Sequence, residues 1–156
     1  MIKMKHWYIL IGVLFIFSAC NCNEDIINDN TYLHIMADNG SSNVTIGSDV
    51  KNIATYSVFL SSRLISDKFD VSYKITVGDG LTEGIDYQLI TTGTTLSFLP
   101  GIYDMPIRVR WLPHTVDSTK DNTLKITLVS NTLGLTMGVP GPSGLQRELV
   151  ITKVNN

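Results

Sequence analysis

Three stretches alternate apolar and polar side chains with a period of two, and this alternation limits what the chain can fold into more than any other feature. Val71, Tyr73, Ile75 and Val77 alternate with Asp70, Ser72, Lys74 and Thr76; Ile107, Val109 and Trp111 with Arg108 and Arg110; Leu124, Ile126 and Leu128 with Lys125 and Thr127. Successive side chains of an extended chain point to opposite faces, so each stretch offers one face to a core and the other to water. That is the pattern of a half-buried antiparallel strand. No window carries apolar residues at helical spacing for three turns. From Cys20 to Asn156 there are sixteen Thr and only two Ala, usage that favours strands over helices.

Further strands are expected at Tyr32 to Met36, Val44 to Ile46, Tyr56 to Leu60, Tyr87 to Ile90, Thr94 to Phe98 and Leu145 to Thr152. Turn residues separate them: Asp38-Asn39-Gly40, Gly78-Asp79-Gly80, Thr92-Gly93, Pro100-Gly101, Asp121-Asn122 and the run from Gly138 to Gly144. Seven to nine short strands at this spacing specify an all-β fold, an antiparallel sandwich of two sheets.

The N-terminus obeys a different logic. Lys3 and Lys5 precede the eleven apolar-rich residues Trp7 to Phe17, which end at Ser18-Ala19-Cys20. A basic start, a short apolar stretch and small residues at the end form a secretory signal, and the stretch is well short of the roughly 18 to 20 residues that span a bilayer. Residues 1–19 are therefore expected to be removed. Residues 20–156 are 39% apolar, 54 of 137, with ten basic against fourteen acidic side chains, a formal charge of -4. Ten scattered Lys and Arg do not make the basic face that nucleic-acid binding requires.

Phe17-Ser18-Ala19-Cys20 resembles the lipobox of bacterial lipoproteins, which implies cleavage between Ala19 and Cys20 and acylation of the Cys20 thiol. Phe17 departs from the usual Leu, while Asn21 before Cys22 makes the second cysteine a poorer acceptor. Several acyl chains, at about 0.8 kcal/mol per buried methylene, make such an attachment effectively permanent. Residues 20–30, rich in Asn, Asp and Glu, read as a flexible tether, and residues 31–156 as the folded domain. Asn23-Glu24-Asp25 is similar to the acidic export signal of lipoproteins from Bacteroidetes-type bacteria. That likeness implies an outer-membrane lipoprotein exposed at the cell surface, with the periplasmic face as the alternative.

Within the folded part, Gly84-Ile85-Asp86-Tyr87, then Thr95-Leu96-Ser97-Phe98-Leu99-Pro100-Gly101, Ile107-Arg108-Val109, and Leu124 to Leu128 with Leu149-Val150-Ile151 occur in an order that resembles the Calx-beta domain. The resemblance runs from about Val44 to Val154 and implies an immunoglobulin-like β-sandwich. Calcium is that family's ligand, and Asp86 matches its turn aspartate. The expected acidic pair after the Ile-x-Val strand is occupied by Pro113 and His114, the next acidic turn by Asp117 to Asp121, and Asp49 lies near a missing N-terminal glutamate. A hard cation needs several converging oxygens, so one matching carboxylate predicts no calcium site and no other cofactor, and Asp86 reads as a turn-former.

Other candidate chemistry is sparse. His34 and His114 stand in no nucleophile or metal-ligand spacing, and read as a strand-face and a loop residue. Tyr73 and Trp111 belong to apolar faces. Tyr103, after Pro100-Gly101, is the candidate exposed ring for a ligand contact. Arg108 and Arg110 read as a solvated edge. Asp117-Ser118-Thr119 is similar to a three-residue O-glycosylation signal of exported Bacteroidetes-type proteins, with Ser118 as acceptor. The expectation is a non-catalytic, lipid-anchored module that binds a glycan or a partner protein and contacts the membrane through its acyl chains. The alternatives are a calcium-dependent adhesion module and an enzyme such as a glycan hydrolase, which needs two facing carboxylates.

Overall fold

A computed structural model describes residues 30–62 and 65–156. The signal, the Ala19/Cys20 cleavage site, the lipid attachment at Cys20 and nearly all of the tether lie outside the described residues. Ten strands occur in chain order: β1 Tyr32–Ala37, β2 Asn43–Gly47, β3 Asn52–Ser61, β4 Phe69–Val77, β5 Tyr87–Leu89, β6 Thr95–Phe98, β7 Asp104–Trp111, β8 Thr123–Asn131, β9 Thr136–Met137 and β10 Glu148–Val154. They form two five-stranded sheets, ordered β5-β7-β3-β1-β9 and β2-β10-β8-β4-β6. The expected all-β sandwich is the fold. Among the described residues no helix is long and apolar enough to cross a membrane.

Some details differ from the sequence expectation, among them the start of β3 at Asn52, four residues before the expected Tyr56. The two-residue β9 has no counterpart among the expected strands; it pairs in parallel with β1, and β2 pairs in parallel with β10, while the remaining named pairs are antiparallel. β2 comes to lie beside β10 because the chain passes from the first sheet at β1 to the second at β2 through the Asp38-Asn39-Gly40 turn, with Gly40 at φ 78°. The last strand starts at Glu148, three residues later than expected, because Gln146 has φ 60° and breaks the extended backbone, leaving Leu145 62% exposed. Arg108 and Arg110 do face solvent, but on an internal strand: β7 is flanked by β5 and β3.

The alternation seen in the sequence becomes the core. Val71 and Tyr73 of β4, Ile107, Val109 and Trp111 of β7, and Leu124, Ile126 and Leu128 of β8 are buried between the sheets, with Leu33, Ile35, Val58, Phe98, Leu149 and Ile151. Each such aliphatic or aromatic side chain contributes roughly 1.5–3 kcal/mol by leaving water. Phe69 and Phe98, opposite each other in the β4–β6 register, stack at 4.9 Å.

The registers also define two poles. Tyr32 pairs with Ser61, Phe59 with Asp104 and Phe69 with Phe98, so the chain enters the sandwich beside the β6–β7 turn. At the opposite pole Asn52 pairs with Trp111, Val77 with Leu124 and Val154 with Gly47. The ten residues of β3, at about 3.3 Å each, put roughly 33 Å between the poles.

Candidate functional site

The pole far from the entry holds a buried ion pair. Asp86 lies in the Gly84-Ile85-Asp86-Tyr87 turn: its backbone N–H donates to Thr82 O (2.9 Å), and its carboxylate Oδ2 accepts from the Thr82 N–H (2.9 Å). Gly84, at φ 84°, gives the turn the left-handed residue it requires. To this extent Asp86 is the turn-former that the sequence implied. Its second oxygen has a different role. Oδ1 accepts from Lys153 Nζ at 3.0 Å and lies 3.0 Å from His114 Nδ1.

Lys153 sits on β10, where Leu149 and Ile151 face the core, and the same period of two turns Lys153 inward. Its side chain is fully buried, and its ammonium donates to Asp86 Oδ1, to Leu112 O (2.9 Å) and, at 3.5 Å, to Asp86 O. Three oxygens thus surround one cationic group, as a buried charge requires. Burial alone would raise the Asp86 pKa, but the Thr82 N–H, the Lys153 ammonium and the His114 ring outweigh it and hold the carboxyl below the usual carboxylate value. An ionised carboxylate only accepts, so His114 Nδ1 carries the hydrogen. The His114 side chain is half exposed and covers the pair from outside, its backbone N–H held by Ser48 O at 2.8 Å.

Beside this pair lies a groove of about 450 Å³ between the β7–β8 connection and the end of β10, lined among others by Val116, Ser118, Lys120, Asn122, Thr152 and Val154. Asn155 fixes one wall by a double side-chain bond to Val116, accepting from its N–H (2.9 Å) and donating to its carbonyl (2.8 Å). Asn122 fixes the other, its amide donating to Asp117 O at 2.7 Å. Ser118 is exposed in the Asp117-Ser118-Thr119 turn, where Asp117 Oδ1 accepts from both the N–H and the hydroxyl of Thr119. Those bonds hold the Asp117 carboxyl below its ordinary pKa. Asp121 is engaged in the same way with Thr123, and Asp79 accepts from the Asp121 N–H.

The family resemblance points to Asp86, Asp49 and the Asp117–Asp121 turn, and all of them belong to this pole, although as separate turn carboxylates rather than one cluster. Among the described residues no three of His, Cys, Asp and Glu gather as a metal site would need. The position beside Asp86 is filled by the Lys153 ammonium. Sequence reading missed Lys153 and the Asp86–His114 contact. The Leu149, Ile151, Lys153 alternation was the available indication, since it puts a lysine on a core face.

Tyr103 lies elsewhere. It is 39% exposed at the entry pole, in the same turn as Leu99 (55%) and Ile102 (41%). A third feature is the outer face of the first sheet, where His34 lies between Tyr32 (ring centroids 5.4 Å apart) and Phe59 (5.5 Å, stacked), with its Nδ1 buried and without a partner. Burial lowers its pKa.

No family model matches the chain, and no curated protein matches it. Among solved structures it is similar to the crystal structure of CBD12 from CALX1.2, with a TM-score of 0.56 and 17% identity over 80% of this chain and 45% of that chain. The chain thus spans less than half the length of that structure, and at this identity the likeness concerns the fold, a β-sandwich of Calx-beta type.

Proposed function

We propose that this protein is a non-catalytic, lipid-anchored module, fixed to the outer membrane through Cys20 and exposed at the cell surface, that binds a ligand with the pole farthest from its anchor. The observation that carries this reading is the polarity of the sandwich: the chain enters at Tyr32, while the groove and the Asp86–Lys153–His114 cluster stand about 33 Å away at the other end. A tether at one pole presents the opposite pole outward. The groove favours a glycan over a protein partner, because hydroxyl, amide and ammonium groups of Ser118, Asn122, Thr152 and Lys120 line it together with the apolar Val116 and Val154, a mixture suited to a sugar's hydroxyls and its apolar face. A calcium-dependent reading has less support, since Lys153 already neutralises Asp86.

Two measurements test the proposal. Cys20→Ser should move the protein from the membrane to the soluble fraction; retention on the membrane would overturn the anchor. Binding to immobilised surface polysaccharide should drop at least about tenfold in the Lys120→Ala/Thr152→Ala double variant, on the order of 1–2 kcal/mol for lost polar contacts. Unchanged polysaccharide binding would exclude the groove.

A further inference from the structure

The apolar turn at the entry pole is not explained by the core or by a distal binding groove. Leu99, Ile102 and Tyr103 expose 55%, 41% and 39% of their surfaces within five residues, the one place among the described residues where three large apolar side chains are exposed so close together in the chain. The turn is also firmly built. Ile102 N–H donates to Leu99 O at 3.0 Å, Gly101 takes φ 80°, and Tyr103 O accepts from the Leu60 N–H of β3 at 2.8 Å. Behind it stand the stacked Phe69 and Phe98. Three exposed apolar side chains on one hydrogen-bonded turn mark a contact surface.

We propose that the Leu99–Tyr103 turn docks into the apolar interface of the lipid bilayer and sets the orientation of the domain on the membrane. The occupant is argued from where the chain enters. Under the anchoring reading, on which this inference rests, the acylated Cys20 is twelve residues before Tyr32, and Tyr32 stands at the same pole as the turn. Twelve residues reach at most about 40 Å even fully extended, so an anchor at Cys20 keeps this pole near the bilayer. Leucine and isoleucine enter the acyl boundary, and a tyrosine beside them suits the interface, its ring in the apolar layer and its hydroxyl among the headgroups. Among the described residues, exposed Asp67, Lys68 and Asp104 flank the pole without concentrating positive charge, so insertion of apolar side chains rather than headgroup attraction is the source of the contact. The Asp86–Lys153–His114 pole is then held away from the membrane.

The experiment uses the acylated chain reconstituted in phosphatidylcholine vesicles with brominated acyl chains, which quench nearby tryptophan. In Tyr103→Trp the added emission should fall about twofold, since interfacial side chains sit about 5–10 Å into the headgroup boundary. The native Trp111 is fully buried and gives a constant background. Ile85→Trp, half exposed at the distal pole, should remain unquenched. Adding Leu99→Ser and Ile102→Ser to Tyr103→Trp should abolish the quenching while the protein still floats with the vesicles. No quenching at Tyr103→Trp, or equal quenching at both poles, overturns the docking proposal with the anchor intact. Failure of the wild-type chain to float with vesicles overturns the anchor itself, and the docking with it.

Discussion

Lys153 Nζ and Asp86 Oδ1 lie 3.0 Å apart at the end of the sandwich, both side chains shut off from water, while the other charges among the described residues are largely solvated. A buried pair of this kind gives little net stability over an apolar substitute, but breaking one half leaves an uncompensated charge. Lys153→Met should destabilise the domain by about 3–5 kcal/mol, and Asp86→Asn by a comparable amount, in urea unfolding. The double variant should lose clearly less than the sum of the two, because it removes the stranded charge. His114→Ala, on the half-exposed side, should cost under about 1 kcal/mol. Additive losses at Asp86 and Lys153 would show that the two do not act as a pair.

The acid limb of the pH dependence comes from the same carboxylate, joined by the Asp117 turn carboxyl, and the mildly acidic limb from His34. Asp86 has a folded pKa below its ordinary 3.8, so its contribution is fully present above that value and is lost as pH falls through the lower folded value. His34 is also depressed, from 6.5, because burial disfavours its charged form. Its neutral form is the native one, so stability declines as pH falls below 6.5 and levels off once the folded value is passed. His34→Phe retains the stack on Phe59 and removes the unpartnered nitrogen. It should flatten the mildly acidic limb of the melting temperature against pH and leave the Asp86 limb unchanged.

Within the core, the Trp111 indole N–H donates to Tyr56 Oη at 3.1 Å, and the rings of Trp111 and Tyr87 lie 6.3 Å apart. Burial pushes the Tyr56 phenol up to about 12, so the hydroxyl stays neutral in the folded protein. Tyr56→Phe strands the indole donor and should cost about 1–3 kcal/mol in chemical denaturation, with altered Trp111 emission. A cost near zero would mean that water replaces the hydroxyl.

Two glycines at the distal pole act by space rather than by backbone freedom. A methyl group on Gly78 would overlap the Asp121 carbonyl, and one on Gly80 the Asn122 side-chain amide. Gly78→Ala should destabilise by about 1–3 kcal/mol, as overpacking does, and Gly80→Ala by less, since it meets a side chain that can turn. Comparable melting temperatures for Gly78→Ala and the wild type would disprove the close approach of the two loops.

Local pattern alone determined the sandwich. Alternation in residues 71–77, 107–111 and 124–128 assigned the faces that the core then used, fully buried at most of these positions and packed against its margin at Ile75 and Val77. This works because a strand's side-chain period is set by its backbone and does not depend on its neighbours. Turn chemistry likewise identified Gly84-Ile85-Asp86-Tyr87 and the exposed Tyr103. What the sequence could not supply was distance. His114 and Lys153 are 28 and 67 positions from Asp86 along the chain, and the three meet only because loops and the end of β10 converge at one pole. The parallel β2–β10 pair and the sharing of one pole by the chain entry and the Leu99–Tyr103 turn have the same origin. Strand order is set by which whole strands pair with one another in the two sheets. That competition between whole strands leaves no mark on any short stretch of sequence, and so the tertiary structure alone decided where the charges and the exposed apolar residues came together.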